Sequence, residues 1–317
     1  MLKLAFFLAL VSFAVFYVAP VAASVKTEFS YQSLFYQELE NTPHAVSSEE
    51  RINSFSQIFL GVPYVGGGLG EGEQGKYDKD PLVRFNEFDC TTYVETILAG
   101  VMSSSENDFM PSLLSFRYKD SNVTFTSRNH FPSLDWIPNN QDKLKDITQL
   151  VAQESLMTAE AIIDKTSWYR KMEKKKLYCD KDLSAQCDGL LDQLHDEGDA
   201  FLPEVASLDY VPLTALYLPS SDKSDDASFI VDQSILDRIP SGSVISMVRP
   251  NWELKQWIGT NMNVSHQGFA IRKEGQLLLR HASVLHKKVI DEDFVDYFSR
   301  YTSTSSLKGF NVQVLRN

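Results

Sequence analysis

The stretch that most constrains this chain is an extended run that turns into an amphipathic helix. It reads Phe85-Asn-Glu-Phe-Asp-Cys-Thr-Thr-Tyr-Val-Glu-Thr-Ile-Leu-Ala-Gly-Val-Met102, with Cys90 at the junction. Val94, Ile97, Leu98 and Val101 repeat at i, i+3, i+4 and i+7, so one face of the helix needs another layer to cover it. Asp89 and the Thr91-Thr92 pair are residue types that close an extended run and open a helix. The C-terminal third offers the covering layer. Ser243-Val-Ile-Ser-Met-Val248 reads as a buried strand after a Pro240-Ser-Gly turn, followed by a loop with Trp252 and Trp257. His266-Gln-Gly-Phe-Ala-Ile271, the turn Lys273-Glu-Gly-Gln276 and Leu277-Leu-Leu-Arg-His-Ala-Ser283 then read as a hairpin. A helix packed on antiparallel strands makes α+β the expected fold class.

The same residues carry the candidate chemistry. A thiol in the first helical turn lies near free N–H groups and the positive end of the dipole, which draws it toward thiolate. That placement suits a nucleophile served by an imidazole from elsewhere; a buried structural cysteine is the alternative. Asp89, next in sequence, opposes ionisation. Strand alternation puts His266, Gly268 and Ala270 on one face, and His281 on a face with Leu277, Leu279 and Ser283. Folding about the turn brings His266 and His281 to the same end of neighbouring strands, as a base and its orienting group require. A zinc site built from Cys90, His266 and His281 competes with this reading. No metal-binding helix pattern accompanies it, so no metal and no cofactor is expected. His44, His130, His195 and His286 fall outside this geometry.

Residues 1–23 read as an export signal. Lys3 supplies the positive end, Leu4 to Val18 the apolar run, and Val21-Ala22-Ala23 the cleavage pattern. The apolar run is shorter than the ~20 residues of a spanning helix, and no later stretch has transmembrane character. The expected mature protein is exported, soluble and monomeric, a single elaborated domain over 24–317 without a Gly/Ser/Pro-rich linker. Its formal charge of −12 becomes −13 once Lys3 is removed, which argues against nucleic acid and anionic membranes as partners. Of three cysteines, Cys179 and Cys187 lie eight residues apart and can pair in an oxidising compartment, leaving Cys90 as the odd thiol. The alternative is three reduced thiols.

Along the rest of the chain, residues 24–45 read as an irregular lead-in. Ser47-Ser48-Glu49-Glu50 is a capping box opening a helix with Ile52, Phe55, Ile58 and Phe59 inward. Gly61-Val-Pro-Tyr-Val-Gly-Gly-Gly-Leu-Gly70 is a glycine-rich turn carrying Tyr64, without the context of a phosphate loop. Residues 112–140 read as β-structure and turns, in which Arg128, His130 and Trp136 either line a groove for sugar or peptide or pack as ordinary aromatic and solvated side chains. Residues 141–176 are ambiguous. A helix is expected from Leu183, where Asp180, Asp182 and Ser184 fail the pattern of a calcium loop, and 219–228 read as a surface loop.

Gly61-Val-Pro-Tyr-Val-Gly-Gly, Phe88-Asp-Cys-Thr-Thr-Tyr-Val, Ser265-His-Gln-Gly-Phe-Ala and Arg280-His-Ala-Ser together resemble the NlpC-type bacterial cell-wall peptidases. The chain is more similar still to the N-acetylmuramoyl-L-alanine amidase-like branch, with Ser127-Arg128 and Asp135-Trp136 as further matches. The resemblance covers about Gly61 to Ser283. It implies a papain-like core, a Cys-bearing helix on an antiparallel sheet, from which this chain departs by a large middle insertion at about 141–205. It implies Cys90 as nucleophile, His266 as base and His281 as the orienting third member, with Tyr64, Asp89, Thr91, Arg128 and Trp136 on the substrate side. The implied activity is a periplasmic or secreted bacterial cysteine hydrolase acting on an amide of peptidoglycan or muropeptides, foremost the muramoyl–L-alanine bond. Cleavage after D-glutamate, as by a γ-D-glutamyl-diamino acid endopeptidase, and a non-catalytic muropeptide-binding module are the alternatives. Thr91-Thr92 departs from the usual serine-glycine, which bears on specificity more than on chemistry.

Overall fold

The helix that carries Cys90 forms where its residues predict and is held at both ends. The structure is a computed structural model that describes residues 23–43, 45–179, 184–219, 229–301 and 304–316. Residues 1–22 of the expected signal, Asp180, Asp182 and Leu183, and nearly all of the expected 219–228 loop lie outside them. Four long helices lead the chain: α1 (Ala23–Asn41), α2 (Ser48–Ile58), α3 (Cys90–Met102) and α4 (Glu106–Arg117). Asp89 caps α3 by accepting the Thr92 N–H at 2.8 Å, while the Thr92 hydroxyl accepts the Asp89 N–H at 3.0 Å. At the other end the buried Arg51 guanidinium, from α2, donates to the carbonyls of Gly100, Val101 and Ser103. A cation there satisfies orphan carbonyls and meets the negative end of the dipole. Ser47 and Glu50 form the expected capping box of α2, and Ile52, Phe55 and Phe59 are buried.

Two expectations fail in this region. Residues 24–45 are not irregular, since 23–41 are helical, with Phe35 and Leu39 buried at i, i+4. The Phe35 ring packs edge-on against Phe55 and Phe109, at 5.1 and 5.0 Å between centroids. Gly100 makes that approach possible, because a Cβ there would fall 2.6 Å from Phe35 Cζ. Residues 112–140 are not β-structure either. Phe109, Leu113 and Phe116, at i, i+4 and i+7, are the buried face of α4, and short helical turns follow, including Pro132–Trp136. Tertiary burial overrides the strand-like composition of that segment.

Eight strands form one antiparallel sheet: β1 (Leu144–Asp146), β2 (Met157–Ile163), β3 (Glu204–Pro212), β6 (Val244–Trp252), β7 (Met262–Lys273), β8 (Gln276–Ser283), β9 (Lys288–Asp293) and β10 (Gly309–Leu315). A separate pair joins β4 (Tyr217–Pro219) to β5 (Phe229–Val231). The main order is β2-β3-β10-β6-β7-β8-β9, with β1 also on β10. Residues 141–163, expected inside an insertion, therefore supply two strands of the sheet itself. Off the sheet, between β2 and β3, lies the helix Ser184–Gly198, tied by the Cys179–Cys187 disulfide that the spacing suggested. Cys90 is the free cysteine among the described residues.

The sheet has a core on each face. Helices α1 to α4 cover Phe269, Ile271, Ala282 and Val289. Ile245, Met247, Ala270, Leu277 and Leu279 face the other way, against the short helix Phe294–Ser299. Alternation along β7 and β8 thus sends odd and even residues to the faces their polarity predicts. Among the described residues, no helix is long and apolar enough to cross a membrane.

Candidate active site

The β7–β8 hairpin forms as predicted around Glu274 and Gly275, both at positive φ, as a two-residue turn between right-twisted strands requires. Its ladder runs from Lys273↔Gln276 to Phe269↔Arg280. Beyond that point the two histidines meet, with His266 Nε2 at 2.6 Å from His281 Nδ1 and the rings edge to face. Gly268 creates the room, because a Cβ there would lie 2.8 Å from His281 Cβ and 2.9 Å from the Arg280 carbonyl.

The start of α3 reaches the same place from the other face. Cys90 is half-buried as a residue; its thiol is bonded by the backbone of Gln267, the residue after His266, and lies 3.9 Å from Thr91 Oγ1. The Thr91 hydroxyl donates to Gln267 Oε1 at 3.2 Å, and Gln267 donates in turn to Ser246 Oγ, so the helix tip is pinned to β7 and β6. With His266 Nε2 engaged by His281, Nδ1 is the ring nitrogen that this bond leaves open.

Electrostatics correct one expectation. Burial, and next the Asp89 carboxylate, push the Cys90 thiol up to about 12, outweighing the bonds from Gln267 and Thr91. A helix N-terminus does not make this cysteine a thiolate, because desolvation penalises the anion more than the dipole helps it. Burial, reinforced by His281 and opposed by Glu292, pushes His266 down to about 3. At rest both the thiol and the His266 imidazole are neutral.

Two cavities open at the residues around this junction, one beside Asp89 and Thr91 and one beside the histidines. One, of about 470 Å³, is lined by Asp89, Thr91, Arg128, His130 and Trp168 among others. The other, of about 500 Å³, holds His266, His281, Glu292, Tyr297 and Trp252. Tyr64 stands beside Cys90 on the glycine-rich turn, where Tyr64 bridges Phe88, and burial with the charges of Cys90 and Asp89 pushes its phenol up to about 12. Arg128 lies 3.5 Å from Glu71 and 3.9 Å from Asp78 along the first cavity. Trp136 is the exception among the sequence candidates. It is fully buried, its indole N–H donates to Glu95 Oε1 at 3.2 Å, and it has no face for a substrate. Its partner Glu95 also takes the buried Arg117 guanidinium at 2.6 Å, so this indole belongs to a core polar network.

Glu292 was missed by sequence reasoning. Its Oε2 lies 2.8 Å from His281 Nε2. The signal was present in principle: β9 pairs Ile290 with His281, and alternation returns Glu292 to the same face two residues on.

Fold and site together define an α+β protein in which a cysteine at a helix start is bonded by the backbone of Gln267, one residue after the first of two paired histidines. Over residues 54–304 the chain matches the AmiA-like family, described as N-acetylmuramoyl-L-alanine amidase-like. The chain belongs to that family. It is similar to a Legionella pneumophila protein of known crystal structure, with 33% identity, a TM-score of 0.82, and coverage of 94% of this chain and 97% of that one. It also resembles in fold an N-acetylmuramoyl-L-alanine amidase from Bacteroides uniformis, at 22% identity, a TM-score of 0.58, and 85% and 99% coverage. Nothing matches among curated proteins.

Proposed function

We propose that this protein is an exported bacterial cysteine hydrolase with a papain-like core that cuts an amide bond of peptidoglycan, foremost the bond between the muramoyl lactyl group and L-alanine. The observation that carries the reading is the free Cys90 thiol at the start of α3, bonded by the backbone of Gln267, the neighbour of His266, whose Nε2 is bonded to His281. Family membership supports the substrate class.

In this reading His266 Nδ1 takes the thiol proton as Cys90 Sγ attacks the carbonyl carbon. General-base removal is needed because the resting thiol is neutral. The Cys90 N–H at the start of α3 faces the developing oxyanion. The C–N bond breaks, the new imidazolium returns its proton to the leaving amine, and the acyl group remains on sulfur as a thioester. Water, deprotonated by His266, then releases the carboxylic acid and restores the thiol.

A second reading, cleavage after D-glutamate, draws on Tyr64, Asp89 and Thr91 gathered at the thiol, with Asp78 and Asp80 further along the same cavity to hold an amine. Mass spectrometry of sacculi and soluble muropeptides, incubated with the mature protein or with Cys90→Ala, tests both. Free stem peptides from the wild type alone are the expected result, and products ending in D-glutamate would replace it with the second reading. Tight muropeptide binding without cleavage by either protein would make it a binding module.

A further inference from the structure

The hydrogen-bond chain does not end at the second histidine. Glu292 receives His281 Nε2 on Oε2, while its other oxygen is bonded by Arg300 Nη2 and lies 3.4 Å from His286 Nε2. Its side chain is about nine-tenths buried. Tyr297 closes the site from the helix Phe294–Ser299, its ring 5.3 Å from that of His281 and 5.4 Å from the Arg300 guanidinium. Burial favours protonation of Glu292, but the bonds from His281 and Arg300 prevail and hold the carboxyl at about 2.

We propose that Glu292, clamped by Arg300, is a positioning residue that sets the proton positions of both histidines and so leaves His266 Nδ1 unprotonated to serve as the base for Cys90. The inference rests on the reading of Cys90 and His266 as nucleophile and base. Its logic is one of donors and acceptors. An ionised carboxylate only accepts, so His281 Nε2 carries a proton. With that single ring proton on Nε2, His281 offers a lone pair at Nδ1, and across the 2.6 Å contact His266 then donates from Nε2. Neutral His266 is thereby left with an unprotonated Nδ1, the form a general base needs. His281 is 2% exposed, so water has little access to take over the carboxylate's part.

Arg300 supplies the discriminating test. In Glu292→Gln the amide oxygen is drawn to Arg300, which can only donate, and the NH2 is turned to His281 Nε2. Every proton in the chain then moves over by one position, and His266 Nδ1 is blocked. Expected for Glu292→Gln is a fall in kcat on the order of 10²-fold or more with little change in KM, as a wrong tautomer gives. Alkylation of Cys90 by iodoacetamide between pH 6 and 8 slows in parallel, a readout that needs no substrate. Adding Arg300→Met frees the amide to rotate, so the double variant recovers alkylation rate and kcat relative to Glu292→Gln. A merely structural Glu292 predicts further loss instead.

Imidazole 15N NMR of the unmutated protein reads the tautomers directly, whether or not the variants fold. Protons on Nε2 of both His266 and His281 are expected. A proton on His266 Nδ1 in the resting enzyme overturns the inference, as does a folded Glu292→Gln that keeps its alkylation rate within twofold. Slowed alkylation in a protein that leaves peptidoglycan uncut would uphold the relay and reject the substrate reading.

Discussion

Gly268→Ala makes the sharpest test of how the hairpin builds the site. A methyl at this position would sit 2.8 Å from His281 Cβ, 2.9 Å from the Arg280 carbonyl and 3.2 Å from Leu279 Cδ1. Carbon atoms pack at about 3.5 Å or more, so β7 and β8 must part by roughly 0.7 Å. The two nearest obstacles are not flexible side-chain ends, since one is backbone and the other a Cβ, and only Leu279 Cδ1 could move aside. The same displacement stretches the His266–His281 contact from 2.6 Å to about 3.3 Å, beyond hydrogen-bond range. Overpacking of this kind costs about 1–3 kcal/mol, and misplacing a catalytic base by a fraction of an ångström costs up to about 10²-fold in rate. Urea denaturation and muropeptide turnover measured on one preparation read both. A variant with wild-type stability and wild-type kcat would refute the claim that close strand approach at Gly268 aligns the histidines.

Other positions give independent tests. Trp136→Phe leaves Glu95 short of one donor, so the melting temperature should drop while KM for muropeptides stays unchanged; a selective rise in KM would return this residue to the substrate site. Replacing Cys179 and Cys187 by serine opens a loop of sequence separation 8 and should cost about 2–3 kcal/mol on chain-entropy grounds, measured by chemical denaturation with Cys90 alkylation unaffected. Burial pushes the Glu71 carboxyl up to about 7 despite the nearby Arg128. The folded state therefore binds the extra proton between the unfolded pKa near 4.5 and about 7, and stability from this group is lost as pH rises through that window. Glu71→Gln should remove that loss, seen as a smaller fall in melting temperature from pH 5 to pH 8. His130 has the opposite sign, because burial lowers it to about 3 and its contribution is lost as pH falls below about 6.5. His130→Asn should flatten the acid side of the same curve.

Much of the candidate site was legible before any coordinates. Cys90 could be placed at a helix start because Asp89 and Thr92 are capping residues and the apolar spacing begins at once. His266 and His281 could be brought together because a two-residue turn fixes register, and register fixes which side chains share a face. Helix α1 was illegible for the complementary reason. Among its described side chains only Phe35 and Leu39 are fully buried, and they pack into the aromatic cluster of α2 to α4 that the helix covers. Trp136 misled because an indole beside an aspartate looks the same in sequence whether it walls a cavity or seals a core.

Local periodicity and turn chemistry thus determined the Cys90 helix, the hairpin, the disulfide spacing and the pairing of the two histidines, since each depends on residues close in the chain. Tertiary structure alone decided the charge state of the thiol, because desolvation is set by what packs around Cys90 from β7. It decided the fate of Trp136 through Glu95 and Arg117, which come from two other helices. It also decided the end of the relay. Glu292 acts on His266 only through a hydrogen-bond chain that crosses three strands, and a sequence does not record the distances that make such a chain continuous.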